Sequence, residues 1–363
     1  MGQMKQILLI TLVTSMMITA GCSPFLENNM IEEIAPITFW YTKEGEEGQF
    51  KMTTLMPPLL KEKKNPVTIQ ANLVRQGAKK FNYKYFRELK AGQIRLLFID
   101  EDFAKKGIMQ LINLLSIDPD ISQRLYVVIV KGDFEEYITN QVSRNENIDY
   151  FLYLMFKHYE KKRQGEMTVI NIHQFMENLY SPFSDPILPV FKVDKDNFKY
   201  EGTAIFNHDK LIATVKNVEE NIVQLIDNAH YLKFLPIEPL SVVLDGIRSN
   251  VHMDLNRNFS SLTIKVEMSG RIMEYLGNKN IFNEDELAEL KKDIEMYLEK
   301  QTFEFIKKLQ KWGVDPFQIG KHSKTPFAKP LSEKQWLKYW EQMDINVDYS
   351  IYIQPLLEEE KNK

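Results

Sequence analysis

The residue best placed to do chemistry is the single cysteine, Cys22, which follows an apolar run covering 7–20. A thiol in that setting suits acylation better than catalysis. Lys5 is the one charge ahead of the run, and two small residues, Ala20 and Gly21, stand just before the cysteine. Charge, apolar stretch and small residues in that order make a secretory signal peptide, whose cleavage leaves Cys22 as the first residue. An amino-terminal cysteine exposed in this way is the bacterial lipoprotein arrangement, in which the thiol takes a diacylglycerol. Thr19 stands where such a lipobox usually has leucine. The run is ~14 residues, short of the roughly 20 that cross a bilayer. It therefore reads as a cleaved signal or a frayed apolar arm. A buried free thiol is the competing reading, and its place at the end of a signal-like segment speaks against it. Gly2 makes no myristoylation site, because Gln6 stands where Ser or Thr is needed.

The other groups available for chemistry are poorly spaced. The six histidines are scattered, and no two sit at ligand spacing. His173 and Glu177 form an i, i+4 pair that reads as a surface contact rather than a metal site. His208 beside Asp209 reads as a turn rather than a dyad. Glu32, Glu33 and the run 358–360 read as solvated charge. No G-x-S-x-G elbow, phosphate-cradling glycine loop or H-E-x-x-H helix occurs. The aromatic stretch 150–159 suits a ligand pocket or a helix core, and Phe151, Met155 and Tyr159, recurring every fourth residue, favour the core. No catalytic residue, metal or cofactor is expected, apart from covalent diacylglycerol on Cys22. A binding or assembly role is favoured over an enzyme.

These groups must be positioned by elements that the apolar pattern marks out. Hydrophobic residues make up 44% and charged ones 26%, an ordinary globular balance. With no internal disulfide possible, the chain past the signal must be held by core burial in two or three domains. The formal charge of −4 becomes about −5 without Lys5, which offers no help with nucleic acid or anionic lipid. Membrane attachment would rest on the lipid, and the two acyl chains of a diacylglycerol hold stably where one does not.

The first half begins with a hairpin: strands at 37–41 and 51–55 around a charged loop at 43–49, stopped by Met56-Pro57-Pro58. A solvated loop is expected at 61–65 and a helix at 72–89. Two apolar runs, 94–99 and 125–130, suit strands buried on both faces. The helix expected between them at 103–115 makes a crossover unit with parallel strands. Helices follow at 148–159 and 172–179. Pro182, Pro186 and Pro189 mark a rigid connector, with a domain boundary at 190–200.

The second half predicts strands at 202–206, 211–215, 241–244 and 261–268, the last alternating as a sheet with one buried face. Asn283 and Glu286 cap a helix over 284–312, which Gly313 stops. Leu287, Leu290, Ile294, Leu298, Phe305 and Leu309 form its apolar stripe. At 1.5 Å per residue it runs roughly 43 Å. A helix at 333–342 and a strand at 345–353 close the fold.

The order of segments resembles one known family, the Ger(x)C lipoproteins, C subunits of spore germinant receptors. The blocks that carry the resemblance are GC at 21–22 with IEEI at 31–34, IRLLFIDEDFAKKGI at 94–108 and DPDISQRLYVVIVKGD at 118–133. They continue with DPILPVF at 185–191, GTAIFNHDKLIATV at 202–215, LQKWGVDPFQIG at 309–320 and WLKYWEQMDINVDYSIYI at 336–353. Ser23-Pro24 departs from the Trp-Asp of many members, and 51–60 is only loosely similar. The resemblance implies a mixed α/β (α+β) fold of about three domains, with sheets flanked by helices and 284–312 packed on the C-terminal sheet. It divides the chain into a signal peptide at 1–21 and a lipidated tether at 22–36. An N-terminal α/β region at 37–196, of two possible subdomains, a C-terminal α/β domain at 197–357 and a charged tail at 358–363 follow. It implies a non-catalytic subunit on the outer face of the spore inner membrane, partnered by membrane A and B subunits, with Cys22 as its one transferable site. A solute-binding lipoprotein of a transporter is the alternative, and a cell-wall hydrolase is a third reading.

Overall fold

The computed structural model describes residues 33–58, 63–72, 74–84, 87–162, 164–227, 231–323 and 331–355. The signal run, Cys22 and the charged tail lie outside them.

Two uninterrupted apolar runs set the middle of the fold. Strands β6 (Leu96–Asp100) and β7 (Tyr126–Lys131) are buried on both faces, as continuous apolar strands of a parallel sheet must be. They pair in parallel, with β2 (Phe39–Glu44) outside β6 and β8 (Ile187–Val193) outside β7. Antiparallel strands extend both sides, β3 (Phe50–Met56) and β4 (Asn65–Ala71) on one, β9 (Phe198–Asn207) and β10 (Lys210–Val215) on the other. The sheet has eight strands in the order β4-β3-β2-β6-β7-β8-β9-β10. A parallel pair, β1 (Ile34–Pro36) with β5 (Glu88–Lys90), stands apart from it.

Successive side chains of a strand face opposite ways, so the central strands supply two cores. Leu97, Ile99, Val127 and Ile129 pack against α2 (Glu101–Lys106), α3 (Met109–Ile117) and α6 (Ile172–Leu179). Leu96, Phe98, Val128 and Val130 pack against α4 (Phe134–Arg144) and α5 (Ile148–Lys162). Glu135 clamps α4 to the hairpin strands. Its carboxylate accepts from Thr53 Oγ1 at 2.6 Å and Lys51 Nζ at 3.0 Å, and also from Lys43. Burial works against its charge, but those donors outweigh burial and hold its pKa down at about 2.

The C-terminal unit is a four-stranded sheet, β11 (Leu232–Ile237), β12 (Val242–Leu255), β13 (Ser261–Tyr275) and β14 (Asp344–Pro355). β13 and β14 are parallel, and the crossover between them carries α8 (Glu284–Trp312) and α9 (Glu333–Gln342). Leu262, Ile264, Val266 and Met268 are buried under α8, while Lys265 and Glu267 face out. The α8 caps match the sequence reading. Asn283 Oδ1 accepts from the amides of Asp285 and Glu286, each at 3.1 Å, and Gly313 takes the left-handed conformation at φ 68°. The Glu286 carboxylate reaches back to the amide of Asn280 rather than that of Asn283.

Several elements differ from expectation. The helix expected over 72–89 is α1 (Val74–Lys84), and Leu89 belongs to β5. Gly77 lies against β3, where a Cβ would come 2.9 Å from the terminal methyl of Met52. The helix expected over 103–115 breaks at Gly107 (φ 120°) into α2 and α3. Asn65, expected in a loop, opens β4, an edge strand that tolerates Pro66. The proline connector holds β8, in which Pro189 comes just before Val190, the first residue registered with β7. Helices α4 and α7 (Val218–Asp227) and strand β11 come from stretches that gave no clear periodic signal. Position 196, expected to divide two domains, falls between β8 and β9, which pair in one sheet. Phe183, Ile187, Ile205 and Val215 from the end of that sheet join the core under α8.

Candidate functional site

Where the described chain begins, it is held tightly. Ala35 is fully buried in β1, and Arg87 donates from Nε to the carbonyl of Ile34 at 2.9 Å and from Nη1 to that of Pro57 at 2.7 Å. Thr38 donates to Asp149 at the start of α5 at 2.6 Å, and Lys64 pairs with the same carboxylate at 2.8 Å. The tether expected at 22–36 therefore ends in a fixed attachment. Cys22 itself lies outside the described residues.

The second cluster joins the two units. Asp185 precedes β8 and Asp315 follows α8, and both are followed by proline. A residue before proline is biased to extended backbone, which lets the two segments run against each other. The amide of Asp315 donates to Asp185 Oδ2 at 2.8 Å, and the amide of Asp185 donates to the carbonyl of Asp315 at 3.1 Å. Asp185 Oδ1 also accepts from the amide of His208, and the Asp315 carboxylate from those of Ile319 and Gly320. Burial pushes the Asp315 carboxyl up to about 7, against those amide bonds, and raises Asp185 for the same reason. Paired acids with raised pKa values are a catalytic signature where substrate can reach them. Here the adjoining cavity is about 10 Å³, room for roughly one water. The pair is a joint rather than an acid–base centre. Trp336 and Trp340 stack beside it, and the Trp340 indole donates to the carbonyl of Val314 at 2.9 Å.

The other candidates separate. His208 contacts Glu333, while Asp209 accepts the amide of Met109 at 3.0 Å and caps α3, so the two side chains form no dyad. Glu177 pairs with Lys321 rather than His173. No metal-holding cluster occurs among the described residues. The α5 core face is Ile148, Leu152 and Phe156, whereas Phe151 is 57% exposed. The every-fourth spacing was right and the stripe was wrong, since the strand below selects the face. Met155 and Tyr159 line a cavity of about 870 Å³ with Phe191, Phe198, Tyr200 and several lysines.

The blocks at 185–191, 202–215, 309–320 and 336–353 converge on the Asp185–Asp315 joint. Residues 27–193 match the family described as spore germination protein N-terminal domain, and residues 201–355 the family described as spore germination B3/GerAC like, C-terminal. The chain belongs to the Ger(x)C family. It is 22% identical over 290 residues to the putative spore germination protein YfkR of Bacillus subtilis strain 168, which covers 76% of this chain and 74% of the relative. To the spore germination protein GerQC of Bacillus cereus it is 20% identical over 272 residues, 73% of this chain and 75% of that one. The crystal structure of the GerBC protein matches with a TM-score of 0.55 at 14% identity, covering 86% of this chain and 96% of that one, which shows a shared fold. The two Ger(x)C domain families meet between 193 and 201, at the β8–β9 hairpin. Sequence reasoning missed the aspartate joint. Its only trace was the repeated Asp-Pro dipeptide at the head of one block and inside another.

Proposed function

We propose that this chain is a non-catalytic lipoprotein C subunit of a spore germinant receptor, acting in nutrient-triggered germination beside membrane A and B subunits. The observation that carries the reading is the match of both Ger(x)C domains, together spanning most of the chain. The signal-like run and Cys22 supply the anchor, a diacylglycerol that holds the folded part at the outer face of the spore inner membrane. No described helix is long and apolar enough to cross a membrane. The solute-binding alternative calls for two similar lobes around a cleft, whereas an eight-stranded and a four-stranded sheet are unlike.

Cys22→Ala is expected to move the protein from the spore membrane fraction to the soluble fraction and to slow nutrient germination. Normal membrane retention of that variant would sink the lipid anchor. Cross-linking in spore membranes tests the assembly separately, with adducts to A-type and B-type subunits as the expected result.

A further inference from the structure

The outer face of the C-terminal sheet, opposite α8, holds a cleft of about 560 Å³. Two register rows of β12, β13 and β14 meet there, Arg248–Ser269–Tyr352 and Asp245–Arg271–Gln354. Register partners share a face, and Ser269 and Arg271 are two apart on one strand, so both rows point the same way. The alternate residues Met268, Ile272, Ile351 and Ile353 are buried in the core beneath α8, which fixes that way as outward.

A bulge sets Arg248 on this face. From Asp245 to Arg248 the chain takes three steps, while their partners Arg271 and Ser269 are two apart. The extra residue reverses the alternation, so that Leu244 and Ile247 are both buried and Arg248 turns out. Without it Arg248 would share the buried face with Leu244. Bulges that re-aim a side chain are over-represented beside functional sites. Gly246 takes φ 62° within the bulge. A Cβ there would stand 3.7 Å from Arg271 Nη2 and 3.9 Å from the Tyr231 hydroxyl, so the glycine leaves the space between them open.

The charges on this face are matched everywhere except at the cleft. His252 and Lys265 contact Asp254 at 2.8 and 3.7 Å, and Arg271 pairs with Asp245 at 2.9 Å. Arg248 makes no ion pair among the described residues, not even with Glu267, the next outward residue of β13. Lys291 comes from α8. Glu299 and Glu295 meet the amides of Tyr349 and Ile351 along the β14 edge, and Lys291, one turn earlier, lines the cleft with Ile353. Lys291 is also without an ion pair among the described residues. No described carboxylate lines the cleft. Three lining cations, less the one carboxylate that holds Arg271, leave two positive charges uncompensated. A phosphomonoester carries about −1.5 to −2 near pH 7 and presents three acceptor oxygens. Arginine forks pair with such oxygens two at a time, and the Ser269 and Tyr231 hydroxyls and the Gln354 amide can donate to the remainder. The cleft also falls within the roughly 300–1,000 Å³ of small-molecule sites.

We propose that this cleft binds a small phosphomonoester, its phosphate held between Arg248 and Arg271 and its organic body laid against Tyr352. Neither the lipid anchor nor a partner subunit takes part.

The test is calorimetric titration of the full-length chain in neutral detergent with phenyl phosphate, inorganic phosphate and dihexanoyl phosphatidic acid. Phenyl phosphate is expected to bind saturably, one per chain, and more tightly than inorganic phosphate. Arg248→Gln should lose at least tenfold in affinity with an unchanged thermal midpoint, because Arg248 holds nothing in the fold. Arg248→Lys should fall between the two, and Lys265→Gln, outside the cleft, should bind as the parent does. Tyr352→Ala should weaken phenyl phosphate and leave inorganic phosphate unchanged. Absence of saturable phenyl phosphate binding, or equal binding by Arg248→Gln, overturns the proposal. A fall in thermal midpoint together with lost binding assigns Arg248 a structural role and also overturns it. Binding of phosphatidic acid alone overturns it in favour of a lipid headgroup.

Discussion

Asp315 and Glu135 show how one side-chain type can oppose itself within a fold. Glu135 is held charged by its lysine and threonine donors, so its contribution is present above its unfolded pKa and is lost as pH falls toward about 2. Asp315 runs the other way. Its folded pKa, about 7, lies above the ordinary carboxylate value, so the folded state binds the extra proton. Stability from this group is complete below pH ~4 and declines as pH rises to about 7, at no more than about 1.4 kcal/mol per pH unit. Asp315→Asn removes the titration and also sets an amide NH₂ against backbone N–H donors. Urea unfolding between pH 4 and 8 should therefore show a lower stability for the variant at pH 4 and a smaller decline toward pH 7. An unchanged slope would mean that Asp315 is ionised throughout. Beyond the repeated Asp-Pro dipeptide, none of this was legible in the sequence. Asp185 and Asp315 are far apart along the chain, and nothing local marks either as buried.

At the scale of elements, legibility followed local signals. Helix α8 announced both ends through Asn283 and Gly313, and β6 and β7 announced themselves by apolar composition alone. Helix α4 had comparable signals, an Asp133 cap and Glu135-Glu136 in its first turn, but its apolar residues Phe134, Tyr137, Ile138 and Val142 are diluted by polar ones. Strand β8 was hidden by Pro189, which reads as a break unless the neighbouring register is known. Strand β14 is an edge, and exposed edges invite pairing with other chains. Two carboxylates one helical turn apart on α8 cover it: Glu299 accepts the amide of Tyr349 at 3.1 Å and Glu295 that of Ile351 at 2.9 Å. Glu295→Ala/Glu299→Ala should cost about 1–3 kcal/mol per orphaned amide that stays buried. It should also promote self-association, readable by light scattering. A monodisperse variant of unchanged stability would show that these bonds protect nothing.

For the whole molecule, the two sheets behave as one body because the joint and a shared core cross between them. Gly320 belongs to that contact, since a Cβ there would lie 2.8 Å from the Trp336 ring and 2.9 Å from Phe183. Cutting the chain at 196 would strip β9 and β10 from their sheet and leave Phe183 and Ile187 with the wrong fragment. The isolated piece 197–357 is therefore expected to lack the sharp near-ultraviolet dichroism of a packed tryptophan pair, while the intact chain unfolds in one calorimetric transition. A well-packed fragment with its own transition would show that the two family domains, which meet between 193 and 201, fold separately. The crossover unit and the long C-terminal helix were readable from pattern, whereas the mixed α/β class and the packing of that helix on the C-terminal sheet came with the family resemblance. The continuity between units came from neither, because it rests on contacts that no periodicity encodes.

The short β1–β5 pairing has a mechanical consequence. Load that reaches the described residues from their amino-terminal side meets β1, three residues long, before the buried strand β2. Tension would first shear those few backbone bonds and the Arg87 grip on Ile34, and only then meet the eight-stranded sheet. The attachment is thus a weak link in series with a strong one. Under a steady pull β1 would slip from β5 while the larger sheet stays paired, a slip that spares the rest.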